Sequence, residues 1–235
     1  MHAVTDPTFD QGIAILGGTG DQGLGLALRF AKAGRPVFIG SRQLERAETA
    51  EKAVAAAVPG ANVSSCENPQ ACQRARVVIL SVPFEHTAAT LKSIRESLVA
   101  DQIVVSIGVP LATSVGGTPD QMIGVWRGSC AEWVASLLPA GVQAVSAFQN
   151  VPAQRLQALD QPVECDVVVS GAKQAREHVM ALCDLVPGVC AVDGGPLGNA
   201  RIVESMSALL IGMSRRYRVS SGVGVRFTGL PQTPS

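Results

Sequence analysis

The chain is expected to fold as an α/β protein of Rossmann type, a doubly wound parallel sheet with a small C-terminal α+β extension. Three observations predict this. Short continuous apolar runs alternate with longer segments of helical periodicity. A glycine-rich loop joins the first apolar run to the first helical segment. Of the 235 residues, 47% are hydrophobic and only 16% are charged, which suits strands covered on both faces.

The elements follow in order. Gly12 to Leu16 is a buried strand that ends in Gly17-Gly-Thr-Gly-Asp-Gln-Gly23. Leu24 to Ala33 has apolar residues spaced for a buried helix and is closed by Gly34. Pro36 to Gly40 is the second strand, and the Ala- and Glu-rich stretch from Leu44 to Val58 is a helix that stops at Pro59-Gly60. Val77 to Val82 is a further buried strand, followed by Pro83 and a helix through about Leu98. Ile103 to Ile107 repeats the strand pattern. A helix over Ala131–Leu138 and a strand over Gln143–Ala147 complete a dinucleotide-domain rhythm over residues 11–152.

Beyond Pro152 the rhythm changes, so residues 153–235 form a smaller second part, for substrate binding and dimerisation. It holds strands at Cys165–Ser170 and Cys190–Asp193 and a helix at Lys173–Leu185. A long helix spans Ala200–Arg216, and Gly222 to Phe227 reads as a last edge strand. The long helix carries Ile202, Val203, Met206, Leu209, Leu210 and Met213. That is more apolar surface than one face on a small domain needs, and it points to a homodimer or to a helix buried within its own chain, with the homodimer as the expectation. The tail Pro231–Ser235 is expected to fray.

Charge and composition narrow the function. With 19 basic and 19 acidic residues, there is no general field for nucleic acid. Met1–Asp10 has no Lys or Arg and no apolar core, unlike a signal peptide, and no apolar run is long enough to span a bilayer. The six cysteines form no CxxC pair and have no His at zinc-ligand spacing, so no metal site is expected. Small buried thiols in a reducing cytoplasm are the better reading. From Arg201 onward Arg201, Arg215, Arg216, Arg218 and Arg226 face one acid, Glu204. This local patch reads equally as dipole-favoured helix ends or as an anion site.

Gly18-Thr19-Gly20-Asp21-Gln22-Gly23 fits G-x-G-x-x-G between a strand and a helix, the context that gives the pattern meaning. The first glycine is expected to make the tight turn and the second to admit backbone to a pyrophosphate. The third lets helix pack on strand, while the helix N-terminus supplies N–H donors. An NAD site would place Asp or Glu at the end of the second strand. This chain has Gly40-Ser41-Arg42 there, with Arg46 one turn on. Ser41 can donate a hydrogen bond, and Arg42 and Arg46 can pair with a 2′-phosphate, so NADP is the expected cofactor.

Ligands on such sheets lie beyond the carboxyl ends of the strands. Three loops there put Pro after a strand: Ser81-Val82-Pro83-Phe84-Glu85-His86, Ser106 to Pro110, and Phe148-Gln149-Asn150-Val151-Pro152. They would give apolar walls for a nicotinamide ring, with Gly108, Gly194 and Gly195 leaving room for ring and backbone. His86 falls in the first turn of its helix, as a cofactor contact or a plain surface residue. No Ser-His-Asp set, lysine base or carboxylate pair stands at these ends, so no catalytic acid or base is assigned. Hydride transfer between two cofactor-like rings needs stacking, distance and exclusion of water instead.

Several runs together resemble the NADPH-dependent coenzyme F420 reductases, the F420:NADP oxidoreductases. They are Leu16 to Arg29, Gly40 to Arg42, Val82 to His86, Val109-Pro110, Val145 to Ala147 and Val151 to Ala153. To these are added Asp193 to Leu197, Asn199 to Arg201 and Val203 to Ser205. The likeness runs from Gly12 to Phe227. It implies NADP contacts at Thr19, Gly20, Asp21, Gln22, Ser41, Arg42, Arg46, Val82, His86, Val109 and Ala153. It also implies a deazaflavin walled by Val151-Pro152 and Leu197.

The chain departs from that family at Gln149, where a His is common, at Phe84, where a Trp is common, and at Val219–Ser221, where the family is Gly-rich. An altered pocket could take a pterin such as a methylene-tetrahydromethanopterin, or an imine-like molecule. A non-catalytic NADP sensor is the reading from a different class.

Overall fold

A computed structural model describes residues 12–230. Its strands are β1 (Ile13–Leu16), β2 (Val37–Ser41), β3 (Val63–Glu67), β4 (Val77–Leu80), β5 (Ile103–Ser106), β6 (Gln143–Ser146), β7 (Cys165–Gly171) and β8 (Val189–Asp193). Its helices are α1 (Asp21–Lys32), α2 (Leu44–Ala57), α3 (Asn68–Gln73), α4 (Thr87–Ile94), α5 (Cys130–Leu137), α6 (Ala153–Gln157), α7 (Lys173–Cys183) and α8 (Ala200–Arg216). The strands form one sheet in the order β3-β2-β1-β4-β5-β6-β7-β8. Every residue of β1, β2, β4 and β5 is buried, because helices cover both faces.

The pairs β1–β2, β1–β4, β4–β5 and β5–β6 are parallel, and the order reverses between β1 and β4. With β3 parallel to β2, registers such as Ser41↔Glu67, Leu16↔Gly40, Leu16↔Leu80, Leu80↔Ser106 and Ser106↔Ser146 bring six carboxyl ends to one edge. Two strands of the C-terminal part, β7 and β8, run against the other six. β7 runs antiparallel to β6 and meets it at Val145↔Gly171 and Ser146↔Ser170. Its earlier residues therefore extend past the end of β6, where they pair with β8 and make a wall beside the carboxyl edge. The division between residues 152 and 153 thus falls in a loop of a continuous sheet.

Three sequence expectations need correction. β3 and α3 have no counterpart among the predicted elements: Val-Ser-Ser-Cys-Glu is a polar edge strand without a continuous apolar run. The segment Gly222–Phe227 is not a strand; it touches the edge of β7 through Asp166 N–H to Val225 O (2.8 Å). The helix after Pro83 is broken into a 3-10 turn at Phe84–His86, then α4, then a second 3-10 turn at Arg95–Ser97. The expectations for Met1–Asp10 and Pro231–Ser235 lie outside the described residues. No helix among those described is long and apolar enough to cross a membrane.

Candidate active site

The glycine loop stands where the strand order reverses. The left-handed residue of its turn is Gly17 (φ 79°), one position before the expected Gly18. A side chain there would also run into the carbonyl of Ser81. Gly20 N–H donates to Gly17 O (3.0 Å) and closes the turn. Gly23 has the helix–strand role assigned to it: a Cβ would lie 2.7 Å from Gly17 O and 2.8 Å from Gly18 Cα. Gly20 is different. A Cβ there would meet only Gly17 O, at 3.6 Å, so the packing of the protein itself does not demand glycine at this exposed position. No side chain caps the N-terminus of α1. Uncapped N–H groups beside an open glycine are the features a pyrophosphate cradle requires.

At the end of β2, Ser41 is buried and its Oγ accepts from Gln43 N (3.2 Å), which leaves the hydroxyl proton to donate. Arg42 and Arg46 are exposed, and neither side chain takes part in an ion pair or hydrogen bond among the described residues. Two free guanidinium groups beside a donor hydroxyl fit a 2′-phosphate. The residues present therefore fit NADP.

The other loops converge on the same edge. Val82 is half-buried against Gly17, and Pro83 is exposed at the start of the turn that carries His86. His86 is exposed and precedes α4 instead of lying within it. Val109 is half-buried after β5. Gln22 Nε2 donates to the carbonyl of Phe148 (3.1 Å), so the glycine loop and the β6 exit are tied together. Phe148 itself is buried with φ 67°. Next to it, Gln149 Nε2 donates to Ser106 O (3.2 Å) and Ser146 Oγ (2.5 Å), while its Oε1 is buried with no partner among the described residues. An unmet acceptor at the strand ends is a place for a ligand donor.

Pro152 and Ala153 are half-buried at the start of α6. Leu197 is half-buried in a 3-10 turn, Leu197–Asn199, that packs on α5, β6 and β7. Val151 sits apart from these. Its side chain is buried in the main core, so any wall it gives a ligand is made by its backbone. Two of the glycines expected to leave room for a ring are used internally. A Cβ on Gly194 would collide with Ser170 Oγ and Val168, and one on Gly108 would lie 2.9 Å from Cys130 Sγ. Gly195 keeps a backbone reason, φ 76°.

Three residues that the sequence reading did not place in the site hold it together. Arg29 on α1 is 2% exposed. It donates to the carbonyls of Arg155 (2.7 Å), Leu156 (2.8 Å), Ala158 (2.6 Å) and Gln161 (2.9 Å), clamping α6 and the turn after it. Gly25 allows that approach, because a Cβ would lie 2.6 Å from Leu156 Cβ. Glu204 on α8 is 1% exposed and accepts from Cys130 N (2.8 Å) and Ala131 N (3.0 Å), capping α5 from another helix. Burial pushes its carboxyl up to about 7, against the pull of those two N–H donors. Burial and the Glu204 charge push the Cys130 thiol up to about 12, so it is no nucleophile. An arginine inside the apolar pattern of α1 and a lone acid on an apolar helix were the available signals.

The C-terminal arginines are partly spent on structure. Arg226 pairs with buried Asp166 (2.6 Å), and Arg215 with Asp120 (3.6 Å); both acids lie upstream of the basic stretch. Of the cysteines, five are buried and Cys190 is exposed, contrary to the expectation for all six.

A glycine-rich loop at the reversal of a mostly parallel sheet, with an unpaired arginine pair at the end of β2, is the architecture of a Rossmann-type dinucleotide oxidoreductase. The family description "NADP oxidoreductase coenzyme F420-dependent" matches residues 12–110. The chain is 45% identical over 223 residues to the F420-dependent NADP reductase of Methanocaldococcus jannaschii, covering 93% of this chain and 98% of that protein. It is 42% identical over 224 residues to the F420-dependent NADP reductase of Methanothermobacter thermautotrophicus, covering 94% and 96%. A solved structure from Arthrobacter sp. FB24, described as a candidate F420-dependent NADP reductase, shares the fold with a TM-score of 0.75 at 23% identity, covering 92% of this chain and 99% of that one. This chain belongs to the F420-dependent NADP reductase family.

Proposed function

We propose that this protein transfers a hydride between NADP(H) and the deazaflavin coenzyme F420, by positioning two flat rings and excluding water. The carrying observation is 45% identity to an F420-dependent NADP reductase over 93% of the chain, supported by an open glycine loop beside the uncapped N-terminus of α1. Gly18 to Gly23 and the start of α1 hold the pyrophosphate, and Ser41, Arg42 and Arg46 hold the 2′-phosphate. Val82, Pro83, His86, Val109 and Ala153 line the nicotinamide half. When bound, NADPH supplies the hydride.

Pro152, Leu197 and the backbone of Val151 form the wall for the second ring, and Gln149 Oε1 accepts from a donor on it. Residues 11–152 thus serve the nucleotide and 153–235 serve the second substrate. Ser106 and Ser146 are buried and hydrogen-bonded within the protein, and His86 is exposed. None of these is set up to pass a proton to a reacting carbon, and direct hydride transfer needs none. The test is optical: the deazaflavin absorbance should bleach on addition of NADPH. Turnover of a pterin or imine without bleaching would replace this acceptor, and NADPH binding with no turnover would make the protein a sensor.

We also propose a homodimer formed on α8. Ile202 and Leu209 are 61% and 62% exposed, and Met206 and Met213 fall between and beyond them at helical spacing. The opposite face of the helix, with Val203, Ala208 and Leu210, is already buried in its own chain. Five buried free thiols fit a reducing compartment, the cytoplasm.

A further inference from the structure

A cavity of about 500 Å³ opens at the amino ends of the strands, across the sheet from the glycine loop. Asn62 stands directly before β3, Arg76 before β4 and Gln102 before β5, while Gln73 and Arg74 come from the end of α3. Its size lies in the range of small-molecule sites. No carboxylate lines it. Arg74 is held with its guanidinium carbon 4.1 Å from the Phe38 ring centroid. Arg76 Nε is buried with no hydrogen-bond partner among the described residues. Neither arginine is paired with an acid. Arg74 is exposed and Arg76 half-buried, but a buried N–H such as Arg76 Nε, left without an acceptor, costs stability until a ligand oxygen meets it.

The cavity has a fixed back wall. Gln102 Nε2 donates to Cys72 O (2.7 Å) and Ala75 O (2.6 Å), and its Oε1 accepts from Val99 N (2.8 Å). All three bonds of the amide are internal, so the wall needs no ligand to form. We propose that this cavity is a second binding site, for a small organic anion bearing phosphate or carboxylate groups. Asn62 and Gln73 supply neutral hydrogen bonds beside the two guanidinium groups. The site is separate from the cofactor loops: strands of four or five residues at about 3.3 Å per residue put the two edges roughly 15 Å apart. Binding there is therefore independent of NADP(H).

The test is calorimetric titration of protein saturated with NADPH, so that the phosphate loop and Arg42 are already occupied. Inorganic pyrophosphate and citrate are the two probes. At least one should bind saturably; pyrophosphate alone would mark a phosphate site and citrate alone a polycarboxylate site. Arg76→Gln and Gln73→Glu should each weaken that binding about tenfold or more and leave NADPH affinity unchanged. Gln73 is exposed at a helix end, so Gln73→Glu decides the matter if Arg76→Gln does not fold. Failure of both probes to bind the NADPH-loaded protein, or binding that survives both substitutions, would overturn the proposal.

Discussion

Among the glycines of the phosphate loop, position decides function. Gly17 and Gly23 are demanded by the protein's own backbone, whereas Gly20 is open enough to be kept for a ligand. Arg42 belongs to the same class of residue, an exposed cation with no internal partner. Arg42→Ala is expected to weaken NADP(H) about tenfold or more and to leave NAD(H) almost unchanged, since a charge-assisted pair is worth about 1.5–3 kcal/mol. Titration with both cofactors checks this, and equal losses would remove the 2′-phosphate site. Glu204 offers a pH test. Its carboxyl lies above the ordinary value of 4.5, at about 7, so the folded state holds the proton more tightly than the unfolded chain. Its contribution to stability therefore falls as pH rises from about 4.5 to about 7 and stays low above that. The stability gap between the wild type and Glu204→Gln should narrow between pH 5 and pH 8, by up to about 3 kcal/mol. Urea unfolding at the two pH values measures it. A widening gap would show that the α5 N-terminus holds the carboxylate below its unfolded value.

Elements carry the site through contacts that the sequence revealed unevenly. β1, β2, β4 and β5 were legible because strands buried on both faces must be continuous apolar runs, and the glycine loop was legible because it joins one of them to a helix. β3 and α3 were not. An edge strand with one half-exposed face has no such run, and the capping box of α3 uses Glu67 and Gln70 in place of the usual Ser or Thr signal. The reversal of β7 was also hidden, since direction is set by tertiary pairing and not by local pattern. Arg29 shows what pattern reading misses: a charge in a buried stripe whose partners lie more than 120 residues away. Arg29→Met would leave four carbonyls without their donor and is expected to destabilise the fold by about 3–5 kcal/mol. It should also loosen α6 and weaken NADPH, an effect visible in thermal melts with and without cofactor. An unchanged melting temperature would mean that α6 is held without it. On α8, Leu209→Glu puts a charge in the exposed stripe and should give a stable monomer by light scattering. A wild-type protein that is already monomeric at micromolar concentration would end the dimer proposal.

At the scale of the whole molecule, the sheet brings six parallel carboxyl ends to one edge, and the reversed β7 with the Leu197–Asn199 turn raises a wall beside them. The α1–α6 clamp and the Gln22–Phe148 bond tie the glycine loop to the exit of β6. This architecture fits a reaction whose difficulty is alignment, since holding reactants at near-attack distance can supply several kcal/mol of barrier lowering. On the proposed reading His86, exposed at the edge, is a positioning contact, and His86→Ala should lower kcat roughly tenfold or less; a loss above about a thousandfold with both ligands bound would make it a general acid. The direct measurement is isotopic. NADPH carrying deuterium at the transferable position of nicotinamide C4 is mixed with oxidised coenzyme F420 and the enzyme in ordinary water, and the reduced deazaflavin is analysed by mass spectrometry. Direct hydride transfer puts the deuterium on C5 of the deazaflavin without dilution by solvent hydrogen. Loss of the label to solvent, with ordinary hydrogen at C5, would contradict it and require a side chain that exchanges protons.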